Sequence, residues 1–395
     1  SRMERTGFVC AINGGRDGYQ APAALHEAGL LRRFVTDYYA PEEPPRWLPG
    51  AMAQRRSPLL PKAMTSNSTA CFAIQHAAGR LGLPPNRVYP YTDAMLGRHA
   101  LRLAEKLGAH LYSYASYMPG AGQVPKGMKV IDFEFHPLPG LTMDLLREDA
   151  ARFPEVAWSF AQESRHAALE QVSTAWQQAD AVVCASAMTA RSLEHVGCEA
   201  ERITVVPYGF ASNRVAQPRS PEGPARFLYV GQGLQRKGLH HLLRAWRQID
   251  PARARLTVVC YSIDPGIAEL AAQPGVELLG RQERGALDAL MQAADVFIMP
   301  SLIEGFGLTY LEALAAGCHV VGTANTGLPD LHLSSAACTL VPVGDLAALA
   351  QAIEALIAQR TAGGLDPLAI AAEAARWTWQ DFRSGIADHA RKVLG

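Results

Sequence analysis

Residues 304–312 read Glu-Gly-Phe-Gly-Leu-Thr-Tyr-Leu-Glu, with a glutamate at each end and two glycines near the first. The stretch follows an apolar run, Val296–Met299, that is typical of a buried strand. It leads into a second apolar segment, Leu308–Ala316, whose pattern predicts a helix. The order of strand, glycine-rich turn and helix is that of a crossover unit, so it predicts a parallel α/β sheet.

The same stretch has the chemistry of a ligand site. Gly305 and Gly307 let the backbone approach a ligand closely, and a helix that begins at Leu308 offers free N–H groups to a phosphate. Glu304 precedes this helix and Glu312 lies on its second turn, so the two can reach the two ends of one long ligand. A carboxylate can accept two sugar hydroxyls. A capping acid and an unrelated surface glutamate are the alternative.

A second glycine-rich turn follows another predicted strand, Phe227–Val230, and reads Gly-Gln-Gly-Leu-Gln-Arg-Lys-Gly from Gly231. Its adjacent cations, Arg236 and Lys237, suit a diphosphate, since lysine supplies a point charge and arginine a planar fork. A dinucleotide fingerprint fits less well, because Arg236 stands where its third glycine belongs. Two solvated cations at a helix start are the other alternative, although the helix dipole disfavours them there.

The rest of the chain repeats this alternation of short apolar runs and helical patterns. A proline- and glycine-rich break over 207–224 is the best candidate for a linker. The fold class predicted is therefore α/β, with two doubly wound domains that face each other across a cleft. The further predicted strands are Phe8–Ile12, Phe34–Thr36, Ala109–Tyr112, Lys129–Phe133, Ala181–Cys184, Leu256–Cys260, Val276–Leu278, His319–Val321 and Thr339–Val341.

The first half of the chain carries weaker signals. Gly14 and Gly15 follow the first predicted strand, but Asn-Gly-Gly is also an ordinary turn. His136 follows the strand that ends near Phe133, and a lone histidine is more often structural than catalytic. The segment Met143–Gln178 has the pattern of one long helix.

Composition excludes several classes of protein. The 395 residues carry equal numbers of acidic and basic side chains, which argues against a nucleic-acid partner. The seven cysteines form no C-x-x-C pair, so we expect reduced, buried thiols. With neither a signal pattern nor an apolar run long enough to span a membrane, we expect a cytoplasmic protein. The basic, proline-rich segment 41–64, which includes Trp47, is a solvated loop or a peripheral contact at the inner membrane face.

Residues 304–312 resemble the E-x7-E motif of glycosyltransferase family 4, whose members have the GT-B fold. The flanking stretches 295–301 and 312–317 are similar to that family too, and 325–330 resembles a donor-side loop. The resemblance implies that Glu304 contacts the donor sugar and that Arg236 and Lys237 hold its diphosphate. The family's usual arginine position is Gln232 here. His136 is the candidate for the family's cleft histidine. The remaining donor-binding candidates are Glu312, which would bind the nucleotide ribose, with Gly14, Gly15, Gly231, Gly305, Phe306, Gly307, Leu308 and Thr309.

The resemblance also implies an organisation and a reaction. We expect a first, acceptor-side Rossmann-like domain over 3–208, a donor-binding domain over 209–376, and a C-terminal helix over 377–395 that crosses back to the first domain. The implied enzyme is a retaining glycosyltransferase that needs no metal or other cofactor. Its donor would be a UDP- or GDP-sugar, and its acceptor the hydroxyl of a carbohydrate, glycolipid or small molecule in glycan, glycolipid or cell-surface polysaccharide biosynthesis.

Two other readings stay open. A nucleotide-sugar epimerase or a sugar phosphorylase would share the fold and differ in the reaction. A protein that binds nucleotide-sugars without turning them over would share the binding residues, although the intact glutamate pair and the Arg-Lys pair argue against a lost activity.

Overall fold

The computed structural model of the protein describes residues 5–115, 124–169, 175–211 and 215–395. Its strands form two separate parallel sheets, one in each half of the chain. Helices cover the faces of both sheets, because a parallel sheet must bury both of its faces.

The first sheet has seven strands in the order β3-β2-β1-β4-β5-β6-β7. Its central strands are apolar and buried, whereas the short edge strand β3 is polar and was not predicted from the sequence. The strands are β1 Phe8–Ala11, β2 Leu31–Thr36, β3 Thr65–Asn67, β4 His110–Tyr114, β5 Val130–Glu134, β6 Ala181–Cys184 and β7 Ile203–Val205.

The second sheet has six strands in the order β10-β9-β8-β11-β12-β13. In both sheets the strand order reverses beside the first strand, at β1/β4 and at β8/β11, which is where ligands bind in open α/β sheets. The strands are β8 Ala225–Val230, β9 Ala254–Val259, β10 Val276–Leu279, β11 Val296–Ile298, β12 His319–Gly322 and β13 Cys338–Leu340. The predicted fold class, two Rossmann-like domains, is confirmed.

The helices run between these strands. In the first domain they are α1 Gln20–Glu27, α2 Gly50–Ala53, α3 Thr69–Arg80, α4 Pro85–Lys106, α5 Pro139–Arg152, α6 Ala157–Leu169, α7 Ala175–Gln178 and α8 Ala187–His195. In the rest of the chain they are α9 Leu239–Trp246, α10 Pro265–Ala271, α11 Arg284–Ala293, α12 Leu308–Ala315, α13 Leu346–Thr361, α14 Pro367–Ala374 and α15 Trp379–Leu394. Within the described ranges, every helix is too short or too polar to span a bilayer.

The single long helix predicted over Met143–Gln178 is wrong. The structure has α5, a short 3-10 turn over Pro154–Val156, then α6, and α7 at the end of the span, while residues 170–174 lie outside the described residues. Pro154 explains the break, because proline disfavours helical backbone at the residue before it, and Phe153 is extended. The two helices therefore form a bent pair that reaches the second domain.

The last helix, α15, packs on the first domain as predicted. The Arg383 guanidinium donates hydrogen bonds to Glu27 Oε2 at 2.9 Å and to Gln20 Oε1 at 2.8 Å, both on α1. Phe382 is buried with Tyr208 and Phe133, which belong to the first half of the chain. The chain thus crosses between its halves twice, although the exact boundaries given above stay predictions.

The segment 41–64 is more firmly built than a solvated loop. Arg55 forms a bidentate pair with Asp37 at 2.6 and 2.9 Å, and Lys62 Nζ donates to the Tyr39 carbonyl at 2.6 Å. Trp47 remains 79% exposed. Two of the segment's cations therefore serve the fold, and its contact with a membrane remains a prediction.

One buried arginine ties the end of the linker to the second domain. Arg360 on α13 is 4% exposed, and its guanidinium lies 3.4 Å from the buried carboxylate of Asp295. Its N–H groups also donate to four successive carbonyl groups of the linker, at 2.5 to 3.0 Å: those of Ser220, Pro221, Glu222 and Gly223.

We expect Arg360→Met to destabilise the protein by on the order of 3 kcal/mol, because it removes the buried cation beside Asp295 and leaves four carbonyl groups without their donor. Thermal or denaturant unfolding measures the loss. Arg253→Met is the control, because Arg253 pairs with Glu354 of the same helix at 2.8 Å but both side chains are largely solvated. This surface pair is worth less than about 1 kcal/mol. Similar losses in the two variants would contradict the role given to Arg360.

Candidate active site

Four of the candidate residues converge between the two sheets. Lys237 Nζ lies 2.6 Å from Glu304 Oε1, which joins the turn after β8 to the loop after β11. Arg236 lies close enough for its charge to influence both Glu304 and His136. The residues predicted to carry the chemistry are therefore neighbours in space, although the chain separates them widely.

Glu304 is held as a buried anion. It is 6% exposed, and the Ser301 hydroxyl donates to its Oε1 at 3.3 Å. Burial alone would raise the pKa of its carboxyl, but the charges of Lys237 and Arg236 outweigh burial and hold that pKa below its ordinary value. A carboxylate fixed in this way can accept hydrogen bonds from hydroxyl groups.

The loop after β12 forms backbone hydrogen bonds with the loop that carries Glu304. The Glu304 N–H donates to the Asn325 carbonyl at 2.8 Å, and the Gly327 N–H donates to the Phe306 carbonyl at 2.8 Å. Both are backbone bonds. The stretch 325–330, singled out from the sequence as a donor-side loop, thus lies beside the glutamate loop.

His136 projects from the loop after β5 of the first domain. The residue keeps an exposed surface, although protein atoms lie densely around its imidazole. Burial, with the charges of Arg236, Arg16 and Lys237, lowers the pKa of His136 to about 3. The imidazole is therefore neutral near pH 7, with one nitrogen that donates and one that accepts.

Arg16 is a further cation of this region that sequence reasoning missed. Its guanidinium carbon lies 3.5 Å from the centroid of the Phe135 ring. Its Nε is buried without a hydrogen-bond partner. Arg16 follows directly on Gly14 and Gly15, so this contact places the glycine pair close to the loop that carries His136. The Gly14 N–H itself donates to Asp37 Oδ1 at 2.9 Å.

Gly305 brings the two domains into contact. A Cβ at this position would lie 2.3 Å from the Phe135 carbonyl oxygen, so any larger residue would collide with the first domain. Its own carbonyl accepts hydrogen bonds from the hydroxyls of Ser186 at 2.5 Å and Thr189 at 3.3 Å. The glycine was predicted to admit a ligand, and the close approach seen here is to the other domain.

Phe306 is also part of this contact. Its ring is 4% exposed and meets the ring of Tyr208 edge-on, with centroids 5.3 Å apart. Its predicted contact with a donor stays a prediction, and such a contact would use its main chain. Gly307, with φ of +90°, then begins α12 without a side-chain cap. Leu308 and Thr309 form the first turn of α12, so their N–H groups lie at the start of the helix. Both residues are half-buried.

Glu312 lies apart from the other four candidates. It is half-buried on α12, and its Oε1 is 3.5 Å from Arg284 at the start of α11. Burial raises the pKa of its carboxyl, and Arg284 offsets part of that rise. Gly231, at the end of β8, packs beside Tyr229 and Met299. The glutamates therefore have different partners, consistent with separate tasks.

Gln232 occupies the place where family members usually carry an arginine. Its amide donates to the Tyr261 hydroxyl at 2.6 Å, near the protein surface. Arg236 is the arginine that the structure brings to Glu304 and His136.

Among the described residues, one group has the composition of a metal site. Asp149, His240 and His241 are buried, and one ligand atom from each lies within 4.8 Å of the others. The histidine nitrogens are 2.9 and 2.6 Å from the Asp149 oxygens, which are hydrogen-bond distances. None of the three was a sequence candidate.

Comparison with known proteins defines the class. Residues 224–359 match the family described as glycosyl transferases group 1. Sucrose-phosphate synthase from Thermosynechococcus elongatus has the same fold, with a TM-score of 0.67 at 20% identity over 98% of this chain and 99% of that one. HepE from Anabaena, solved in complex with UDP, gives a TM-score of 0.59 at 16% identity over 98% and 100% of the two chains. The chain therefore has the GT-B fold.

Sequence relatives point the same way. The putative colanic acid biosynthesis glycosyltransferase WcaL of Escherichia coli is 29% identical over 196 residues, 46% of this chain and 48% of WcaL. The amylovoran biosynthesis glycosyltransferase AmsK of Erwinia amylovora is 28% identical over 196 residues, 45% and 47% of the two chains. Each match thus spans about half the length of the relative. Residues 224–359, the part that the family model matches, are therefore similar to group 1 glycosyltransferases, and family 4 is consistent with these matches.

The protonation of His136 gives a testable consequence. Its pKa of about 3 lies below the value of about 6.5 in an unfolded chain. The unfolded chain therefore takes up a proton first, and the stability due to the neutral histidine is lost as pH falls from about 6.5 towards 3. NMR titration of the His136 ring should give a pKa below 4.

Arg236→Gln should raise the pKa of His136, since it removes one of the charges that lower it. Arg247→Gln, at an exposed residue just after α9, should leave it unchanged. A wild-type ring that titrates near 6.5 would show that His136 lies in open solvent and away from the cations.

Proposed function

We propose that the protein is a retaining, metal-independent glycosyltransferase that moves a sugar from a UDP- or GDP-sugar to a hydroxyl acceptor. The observation that carries this proposal is the convergence of Arg236, Lys237, Glu304 and His136 between two facing sheets. A sugar attached to a diphosphate could bind here. The two cations would bind the diphosphate, and the fixed carboxylate and the neutral imidazole would bind the sugar hydroxyls.

The cations supply what a metal supplies in other enzymes. When the bond between the anomeric carbon and the diphosphate breaks, negative charge grows on the leaving oxygens. Lys237 and Arg236, with the N–H groups at the start of α12, would stabilise that charge. No metal ion is then required for departure of the leaving group.

The sugar end would lie against Glu304 and His136. The fixed carboxylate can accept two hydroxyl hydrogens, and the neutral imidazole can donate or accept one more. As the diphosphate leaves, an oxocarbenium-like sugar forms, and the acceptor hydroxyl attacks the face that the diphosphate left. Because the attack is on that same face, the anomeric configuration is retained. The proton of the acceptor hydroxyl passes to the departing phosphate oxygen, which balances the charge.

We infer the type of donor and the biological role from proteins that are similar to this chain. HepE has been solved in complex with UDP and glucose, which supports a nucleotide-sugar donor here. WcaL and AmsK are described as glycosyltransferases of colanic acid and amylovoran biosynthesis. We therefore place the reaction in polysaccharide biosynthesis, with a carbohydrate or glycolipid acceptor.

A panel of nucleotide diphosphates and nucleotide-sugars tests the proposal. We expect UDP or GDP, and the matching sugar, to stabilise the protein in a thermal shift assay. Labelled sugar should pass to an added acceptor with its anomeric configuration kept, and EDTA should not change the rate.

Other outcomes would favour the rival functions. A labelled sugar that changes configuration without reaching an acceptor indicates an epimerase, and transfer to inorganic phosphate indicates a phosphorylase. Binding without any turnover indicates an inactive nucleotide-sugar-binding protein.

The two glutamates should separate into different tasks. Glu312→Ala should weaken binding of the free nucleoside diphosphate by about tenfold, the effect of losing a charged hydrogen-bond acceptor to the ribose. Glu304→Ala should not weaken it, because it frees Lys237 from its ion pair, yet it should cut turnover by at least about a hundredfold. Calorimetry and initial rates measure the two effects. Equal losses in both assays for both variants would refute the division of tasks.

A further inference from the structure

A buried carboxylate of the first domain gathers side chains of the second. Asp149 on α5 is 6% exposed, and its oxygens lie 2.9 Å from His240 Nε2 and 2.6 Å from His241 Nε2. The Gln235 amide donates to the same carboxylate at 2.9 Å. We call these four residues the interdomain latch.

The direction of each hydrogen bond follows from charge. Burial would raise the pKa of Asp149, but hydrogen bonds from His240 and His241 outweigh burial and hold that pKa well below its ordinary value. An ionised carboxylate only accepts hydrogen bonds, so both imidazoles donate through Nε2. One domain thus supplies the charge and the other supplies three donors.

These distances fit hydrogen bonds better than a bound metal. Zinc bonds of about 2.0–2.2 Å in a tetrahedral site would hold the ligand atoms about 3.3–3.6 Å apart. The His241–Asp149 separation of 2.6 Å is well below that. Both Asp149 oxygens are therefore satisfied by hydrogen bonds without an ion, whereas His240 Nδ1, His241 Nδ1 and Gln235 Oε1 are buried without a partner.

The latch continues directly into the cation turn of the active site. Gln235 is the residue before Arg236, and its side chain also donates to the Leu146 carbonyl of α5 at 2.7 Å. Its N–H donates to the Ser159 hydroxyl of α6 at 3.2 Å. First-domain helices therefore hold the start of the turn.

The far side of the turn is held by the second domain itself. The Leu302 N–H donates to the Arg236 carbonyl at 2.9 Å, and Lys237 pairs with Glu304. The turn that carries the cations is thus held by contacts with its own domain and by contacts with the first domain.

We propose that Asp149 is a positioning residue for the donor phosphates, and that the latch sets the Arg236–Lys237 turn only while the two domains are in contact. This inference rests on the proposed function for its ligand. Separation of the domains would remove the carboxylate from its three donors and the turn from its first-domain support.

Coupling in one direction implies coupling in the other. If contact between the domains places the cations, then a diphosphate that binds the placed cations must favour contact between the domains. The latch would therefore link occupancy of the donor site to closure of the cleft.

Asp149→Ala should selectively weaken recognition of the diphosphate. We expect its dissociation constant for UDP to rise about tenfold or more, while that for UMP changes far less, because the base and ribose contacts are untouched. Isothermal calorimetry with UDP and UMP, and with GDP and GMP in parallel, gives the ratio. Asp149→Asn should recover only part of the loss, because its amide keeps one acceptor oxygen but loses the charge and places an NH2 group against a donor.

Glu155→Ala is the matched control. Glu155 lies just after α5 and pairs with Arg244 of α9, so it joins the same two parts of the chain without touching Gln235. It should leave the ratio of UDP to UMP affinity unchanged. An equal change in this control would show that any loss of domain contact has the same effect, and would overturn the role given to Asp149.

A second readout needs no ligand. Small-angle scattering of the ligand-free protein should give a larger radius of gyration for Asp149→Ala than for the wild type or Glu155→Ala. If the wild type binds none of the four nucleotides, the proposed function fails, and this comparison still tests the latch. An unchanged radius in Asp149→Ala would overturn the latch as a closure device.

Two further measurements test the link between the latch and the turn, and the absence of a metal from the latch. Gln235→Ala breaks the link to the turn and leaves the histidines on Asp149, so it should change the UDP to UMP ratio without changing the radius. It also replaces Asp149→Ala if that variant does not fold. Zn²⁺ should show no stoichiometric binding to the wild type. One equivalent bound by the wild type and lost in His241→Ala would make the cluster a metal site and overturn the latch.

Discussion

The parallel pairing of β8 with β11 is the constraint on which the site depends. Because the carboxyl ends of neighbouring parallel strands meet at one edge of a sheet, the turns that follow these strands must lie side by side. One turn carries the cation Lys237 and the other the anion Glu304, and their 2.6 Å contact follows from that adjacency. Each charge compensates the other in a largely buried position.

The first domain completes what the second begins. It brings the Phe135–His136 loop against Gly305 and the α5–α6 pair against Gln235, so it touches both turns. The break at Pro154 matters for this reason, since it lets two short helices bend towards the second domain where one straight helix would not. The cleft is thus built by contacts between the domains as much as by either sheet.

Sequence reasoning can single out candidate residues where they follow a strand directly. Glu304, Arg236 and Lys237 stand just after apolar runs in glycine-rich turns, and these signals are local. Asp149 and His241 were missed because each alone resembles an ordinary helical residue, and only the fold joins them. The polar strand β3 gave no apolar signal. Gly305 illustrates a different limit of sequence-based prediction. A residue without Cβ is needed for the close approach of a ligand and equally for that of another domain, and the sequence does not distinguish the two.

The electrostatics of the cleft explain why its histidine must stay neutral. Arg16, Arg236 and Lys237 already place more positive than negative charge around Glu304 and His136, so a protonated imidazole would meet repulsion as well as burial. A diphosphate would relieve that excess of positive charge, whereas an uncharged sugar would not. Neutral His136 can then contact the sugar without competing for the phosphates. Burial and this charge excess together suppress protonation, and the charge excess would also favour the phosphate end of the proposed donor over its sugar end.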